Sequence, residues 1–137
     1  PAGQPAARAG AHGGLEGYRV LLIEDDPVVR AATALLLARW GCVVRQEAGL
    51  PGGDLAQVAA GCDLIVTDFD LGGGLTGGEC VARLRHAAGR AVPAIVMTGH
   101  DADRVRHLTR EAGVFVLSKP VRPAELRSVI VAQRLKT

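Results

Sequence analysis

The chain has 137 residues, a length typical of one domain with one hydrophobic core. Its 16 basic and 14 acidic residues are scattered, without the clustered basic stripe that binds a phosphate backbone. Cys42, Cys62 and Cys80 form no Cys-x-x-Cys pair, so they predict buried thiols rather than a disulfide framework or a zinc site. The chain lacks an apolar run of the ~18 to 20 residues that a membrane span needs. We therefore expect a cytoplasmic domain that contacts neither nucleic acid nor membrane.

Residues 1–17 consist mainly of Ala, Gly and Pro, and few of their side chains are bulky enough to offset the entropy of ordering. We expect this segment to be a linker or tail, followed by one domain over residues 18–137. The chain begins with Pro1 rather than Met, which suggests a domain taken from a longer protein or a processed chain.

Apolar segments alternate with helical ones after residue 18. The first apolar segment is continuous, as in a parallel strand covered on both faces, whereas the second is more polar and is expected at an edge. The predicted strands cover residues 18–23, 42–46, 63–67, 93–98 and 114–118.

Helix start and stop signals separate these strands. Asp26 is a good N-cap, Pro27 a good first helical residue and Gly41 a typical C-terminal signal, which predicts a helix over residues 27–40. Further helices are expected over residues 54–60, from a Gly-rich loop to about residue 86, over residues 101–112, and from about residue 123. This α/β alternation predicts a single doubly wound, five-stranded parallel sheet of order 2-1-3-4-5 with five helices.

Polar residues close the central strands at their carboxyl ends, where ligands bind in such sheets. Carboxylates that meet at one edge repel one another unless a cation intervenes, and Mg²⁺ suits oxygen ligands. A lysine can pair there with a carboxylate or with a phosphoryl oxygen, and a threonine offers a hydroxyl donor. The residues are Glu24, Asp25, Asp26, Asp68, Thr98 and Lys119.

This set resembles the receiver domain of two-component response regulators, over residues 18–135. The family pattern is an acidic pair after the first strand, Asp after the third, Thr or Ser after the fourth and Lys-Pro after the fifth. The resemblance implies the flavodoxin-like fold and a phosphoacceptor role for Asp68, assisted by Thr98 and Lys119. It also implies a cis bond between Lys119 and Pro120.

The resemblance further implies a Mg²⁺ ion at the acidic pair Asp25 and Asp26. Asp26, Asp68 and the main-chain carbonyl of Asp70 would hold the ion, and Asp25 would act mainly through water. Two alternatives stay open for the side chain of Asp70: a solvated carboxylate, or a role in positioning the hydrolytic water. Two alternatives also stay open for His100: an exposed loop residue, or a similar role in positioning water.

The implied phosphodonor is a phosphohistidine on a histidine kinase or a histidine phosphotransfer protein. Such a partner could dock on the apolar surface of the first helix, and the domain would be a monomer or weak dimer that catalyses its own phosphorylation and dephosphorylation. Trp40-Gly41-Cys42 and the Asp68-Phe69-Asp70-Leu71 segment resemble receivers of hybrid sensor histidine kinases. A stand-alone single-domain response regulator is the alternative.

Two positions depart from the family pattern. A Gly-rich loop replaces the usual proline-containing loop after the phosphoacceptor, and we expect it to be a mobile hinge. The aromatic residue that usually lies three positions before the Lys is Val116 here, and Phe115 precedes it. A shift of one residue in a strand places a side chain on the opposite face, so the usual aromatic coupling to Thr98 is in doubt.

Two further classes are weighed against this interpretation. A phosphatase of the haloacid dehalogenase type would use Asp68 and Asp70 in its Asp-x-Asp motif, but there the acidic pair comes last in the chain rather than first. A receiver-like module that has lost phosphorylation is disfavoured because no key residue is missing.

Overall fold

The computed structural model describes residues 14–99, 102–108 and 113–136. The strands are β1 Arg19–Ile23, β2 Val43–Glu47, β3 Leu64–Asp68, β4 Ala94–Thr98 and β5 Val114–Ser118. The helices are α1 Pro27–Arg39, α2 Leu55–Ala60, α3 Gly77–Ala88, α4 Ala102–Leu108 and α5 Pro123–Lys136. The end of the predicted fourth helix, at residues 109–112, lies outside the described residues.

All the strand pairings are parallel, in the order β2-β1-β3-β4-β5. This confirms the predicted doubly wound sheet and the edge position of β2. The burial of the strands follows from the order: every residue of β3 and β4 is buried, and no residue of β2 is. The carboxyl ends of β1 and β3 are neighbours, since Ile23 is in register with Thr67.

Helix caps set the turns that leave the sheet. The Asp26 carboxylate accepts hydrogen bonds from the amides of Val28 and Val29, and this fixes the start of α1 immediately after β1. Thr76 and Glu79 form a capping box at the start of α3. The first of these caps confirms the predicted start of the helix at Pro27, and the second was not predicted.

Two large apolar clusters fill the two faces of the sheet. One contains residues of α1 and α5, including Leu37 and Ile130, and the other contains residues of α2 and α3, including Ala59 and Leu84. A third and smaller cluster lies under α4. The three thiols are buried and free, which confirms the prediction made for them, and burial raises the pKa of Cys42 to about 11.

The folded unit begins before Tyr18, where the sequence analysis had placed its boundary. Leu15 is fully buried in the cluster with α1 and α5. The guanidinium of Arg134 donates to the carbonyls of Gly14 and Glu16, at 2.6 and 2.9 Å. The last four residues of the predicted tail, 14–17, are therefore part of the domain.

Candidate functional site

Three carboxylates meet where β1 and β3 end. Glu24, Asp25 and Asp68 each offer an oxygen atom within 4.8 Å of the others. Glu24 and Asp68 are buried, at 3% and 6% exposure, whereas Asp25 is exposed. The adjacent parallel strands bring these groups together because both chains leave the sheet at the same edge.

Lys119 provides the cation that faces this cluster. Its ammonium nitrogen lies 2.7 Å from Oδ1 of Asp68, whose side chain is 8% exposed. The Lys119 amide donates to the carbonyl of Thr98 at 2.7 Å, which ties the end of β5 to the end of β4. The Lys119-Pro120 bond is cis, as predicted. Thr98 is buried at the last position of β4, so the residues predicted after β3, β4 and β5 all lie at this edge.

The charges in this cluster are only partly balanced. Burial raises the pKa of Glu24, and the negative charge of Asp68 adds to the rise, while the hydrogen bond from the Asp26 amide opposes it. Among the described residues, one lysine faces three carboxylates, and two of these carboxylates are buried. Such a set of oxygen atoms fits a hard divalent cation, because a cation among the three carboxylates would relieve both their repulsion and their desolvation.

The Asp26 side chain is not among the carboxylates that meet at this edge, although its amide donates to Glu24. Its side chain accepts the amide hydrogens of Val28 and Val29 at the start of α1, at 2.9 and 3.3 Å. Among the described residues, Glu24 joins Asp25 and Asp68 where the sequence analysis had expected Asp26. The signal that identifies Glu24 was in the sequence: a carboxylate directly before Pro27 is already engaged as a helix cap. The carboxylates that meet among the described residues are therefore Glu24, Asp25 and Asp68, and which residues bind a metal ion stays a prediction.

The Gly-rich loop after β3 is a small hydrogen-bonded hairpin. Asp70 and Thr76 form an antiparallel bridge, and the Leu75 amide donates to the Gly72 carbonyl at 3.1 Å. Gly72, Gly73 and Gly74 have φ values of 75°, 59° and 82°, a left-handed run that residues with a β-carbon rarely adopt. These bonds argue against an open hinge, although mobility itself stays a prediction.

This hairpin borders the carboxylate cluster. A β-carbon built on Gly72 would lie 3.5 Å from Oδ2 of Asp25. Asp70 is exposed at the base of the hairpin. We still predict, without a test, that the Asp70 carbonyl binds the metal ion. The role of its side chain in positioning a water also stays a prediction. His100, the other residue considered for a water-positioning role, lies outside the described residues.

The two residues of β5 considered for aromatic coupling lie on opposite faces. Phe115 packs against the cluster that contains α1 and α5. Val116 is buried in the small cluster under α4. The position that carries an aromatic ring in many receivers is therefore filled by a valine, and Phe115 does not replace it.

Comparison with known proteins agrees with this geometry. The family described as "Response regulator receiver domain" matches residues 20–131. The chain therefore belongs to the receiver-domain family of two-component signalling. The search of curated proteins found no match.

Solved structures with this fold are numerous, with 306 matching chains. The receiver domain of the hybrid histidine kinase CckA is 26% identical, with a TM-score of 0.67 over 84% of this chain and 97% of that one. A LuxR-family two-component response regulator from Aurantimonas sp. SI85-9A1 is 27% identical, with a TM-score of 0.66 over 85% and 86%. A response regulator receiver domain protein from Clostridium thermocellum is 20% identical, with a TM-score of 0.76 over 87% and 95%, and it supports the fold alone.

None of the helices in the described part of the chain is both long enough and apolar enough to span a membrane.

Proposed function

We propose that this domain accepts a phosphoryl group from a phosphohistidine onto Asp68, in a reaction that depends on Mg²⁺. The observation that carries the proposal is the placement of Asp68, a buried carboxylate 2.7 Å from Lys119 within a cluster of acidic oxygens. A buried aspartate with a lysine and further carboxylates around it supports an acceptor for phosphoryl transfer better than a purely structural ion pair.

In the proposed reaction an Asp68 oxygen forms a bond to phosphorus as the bond from phosphorus to the imidazole nitrogen breaks. The imidazole is the leaving group and takes up a proton from the medium. The transfer needs positioning and neutralised charge more than covalent assistance. Lys119 moves from the Asp68 oxygen to a phosphoryl oxygen, and the Thr98 hydroxyl donates to another.

Glu24, Asp25 and Asp68 would hold the ion in the proposed site, together with the main-chain carbonyl of Asp70. Bound Mg²⁺ would neutralise charge on the phosphoryl oxygens. Asp26 is assigned to capping α1, since its carboxylate already accepts two amide hydrogens. This assignment revises the ligand set expected from the family resemblance while keeping its chemistry.

The proposed phosphodonor is a histidine kinase or histidine phosphotransfer protein that docks beside the site on α1. Val28, Val29 and Leu35 of this helix are 76%, 42% and 57% exposed, which offers apolar contact area next to the carboxylates.

We further propose a cytoplasmic domain, monomeric or weakly dimeric, that comes from a hybrid sensor histidine kinase. The 26% identity to the CckA receiver is compatible with this origin, but a LuxR-family response regulator is 27% identical, and a stand-alone regulator is the alternative.

Incubation with acetyl phosphate, with and without Mg²⁺, tests the proposal. Intact-protein mass spectrometry should show one added phosphoryl group with Mg²⁺ and none with the ion chelated. The Asp68→Asn variant should take none, whereas the control Asp63→Asn, at the opposite end of β3, should be phosphorylated like the wild type. Continuous release of phosphate from small phosphate esters, without a stable phosphoprotein, would instead identify a phosphatase.

A further inference from the structure

Phe69 directly follows Asp68, and its backbone is held on two sides. Its amide donates to the carbonyl of Met97 at 2.8 Å, and its carbonyl accepts from the amide of Gly77 at 2.7 Å. These bonds join Phe69 to β4 and to the first residue of α3. Because Phe69 is covalently joined to Asp68, we expect a displacement of Asp68 to move Phe69 against the elements that hold it.

The Phe69 side chain packs against the small cluster under α4. This cluster consists of Val96 from β4, Val105 from α4 and Val116 from β5, each 7% exposed or less. Among the α4 side chains that the structure describes, Val105 alone is buried. By comparison, α5 buries three side chains. Val105 is therefore the main buried contact among the described side chains of α4, and an element with few buried contacts is among the easiest to displace.

Phe69 is the aromatic residue among the partly buried side chains that pack against this cluster. Phe115 lies on the opposite face of the sheet, where the ammonium of Lys136 stands 5.1 Å from its ring centroid. Among the described residues, Phe69 is therefore the phenylalanine that lies between Asp68 and the α4 face.

We propose that Phe69 is a positioning residue that couples the phosphorylation state of Asp68 to the placement of α4; this inference rests on the proposed function. Phosphorylation exchanges the contact between Asp68 and Lys119 for a larger, more highly charged group, to which Lys119 pairs in a new position. The end of β3 shifts with it, and the ring of Phe69 moves against Val105. Packed interfaces of this kind change between discrete arrangements rather than continuously.

Hydrogen exchange of the α4 amides, at residues 102–108, tests this coupling with and without acetyl phosphate and Mg²⁺. In the wild type, phosphorylation should change their exchange rates by about threefold or more. Phe69→Ala should still take the phosphoryl group, but its α4 change should fall below about 1.5-fold. Phe69→Tyr keeps the ring and should restore the response. Phe69→Leu fills more of the volume than Ala and should lose at least about half of the response, which keeps the test decisive if Phe69→Ala does not fold.

The matched control is Phe115→Ala, which removes the other phenylalanine of the chain from the opposite face. Its α4 response should equal that of the wild type. A full response in Phe69→Ala or Phe69→Leu overturns the inference, as does an equal loss in Phe115→Ala. A phosphorylated wild type whose α4 amides do not respond overturns the inference and leaves the proposed function standing. A wild type that takes no phosphoryl group overturns both.

Discussion

The two ends of the parallel sheet use charge in opposite ways. At the amino end, the backbone amide, Nε and Nη2 of Arg19 all donate to the Asp63 carboxylate, at 2.9, 3.1 and 2.9 Å. These hydrogen bonds hold the pKa of Asp63 below its ordinary value. At the carboxyl end, burial raises the pKa of Glu24. At the amino end of the sheet, the carboxylate is paired with a cation of the same chain. At the carboxyl end, the negative charge of the carboxylates exceeds the positive charge of Lys119.

This difference separates stability from function along the same strands. The amino end contributes to folding because Arg19 and Asp63 are already paired. The carboxyl end holds acidic groups together at a cost to the fold, and in the proposed function a bound cation would offset that cost. The paired carboxylate and the crowded one lie within a stretch of only six residues of the chain: Asp63 comes just before β3, and Asp68 ends it.

The largest effect is expected at the amino end, from Leu15→Ala. Leu15 is fully buried, so its truncation should lower the free energy of unfolding by about 3 kcal/mol. Urea unfolding at pH 7 measures the change. Leu135→Ala is the matched control, because Leu135 is 82% exposed and its truncation should have little effect. If Leu15→Ala lowers the free energy of unfolding no more than the control does, residues 14–17 belong to the tail and not to the domain.

Gly77→Ala should disturb the carboxyl end. A β-carbon on Gly77 would overlap the Asp68 carbonyl and come within 2.9 Å of the Thr67 side chain. The free energy of unfolding should fall by about 2 kcal/mol, and phosphorylation by acetyl phosphate should slow because the Asp68 backbone is displaced. Gly52→Ala is the control, since no atom lies within 4 Å of its β-carbon position. Equal behaviour of the two variants would contradict the close approach of α3 to β3.

Glu24→Gln should change the free energy of unfolding by a smaller amount, and should raise it rather than lower it. Removal of one charge from the crowded carboxylates should raise the free energy of unfolding without Mg²⁺ by about 1 kcal/mol. The further stabilisation that Mg²⁺ gives to the wild type should be greatly reduced. Unfolding curves with and without Mg²⁺ measure both quantities. Asp26→Asn should retain the response to Mg²⁺, and loss of that response in Asp26→Asn alone would restore Asp26 as the ligand.

Asp63→Asn should give the smallest effect, and one that depends on pH. Because folding lowers the pKa of Asp63, its contribution to stability is fully present above the unfolded pKa and is lost as the pH falls through the folded pKa. The difference in urea midpoint between wild type and variant should therefore be larger at pH 7 than at about pH 3.5. A difference that grows on acidification would contradict the assigned direction of the pKa shift.

The sequence predicted the architecture closely because continuous apolar runs such as Val20 to Ile23 occur in strands covered on both faces. It also predicted Asp68, Thr98 and Lys119 at one edge, since each directly follows or ends such a run. The choice between Glu24 and Asp26 was less accessible, because it depends on which carboxylate the helix amides capture. That competition between cap and site is decided by side-chain geometry.

Two other features were missed for physical reasons that the sequence pattern does not display. Leu15 is an isolated apolar residue among small ones, and without periodicity nothing marked it as part of the core. The hairpin after β3 depends on hydrogen bonds across three left-handed glycines, which composition alone presents as flexibility. Tertiary contacts place Leu15, whereas the hairpin is closed by local hydrogen bonds within residues 70–76.

The central claim is that Asp68 is the phosphoacceptor. The position of the phosphoryl group in the chain tests this claim most directly. After incubation with acetyl phosphate and Mg²⁺, borohydride reduction converts an aspartyl phosphate to homoserine, and tandem mass spectrometry finds its position. We predict homoserine at residue 68, and none there when Mg²⁺ is chelated. Homoserine at Asp25, Asp26 or Asp70 in place of residue 68, or no homoserine at all in a protein shown to be folded, would contradict the account.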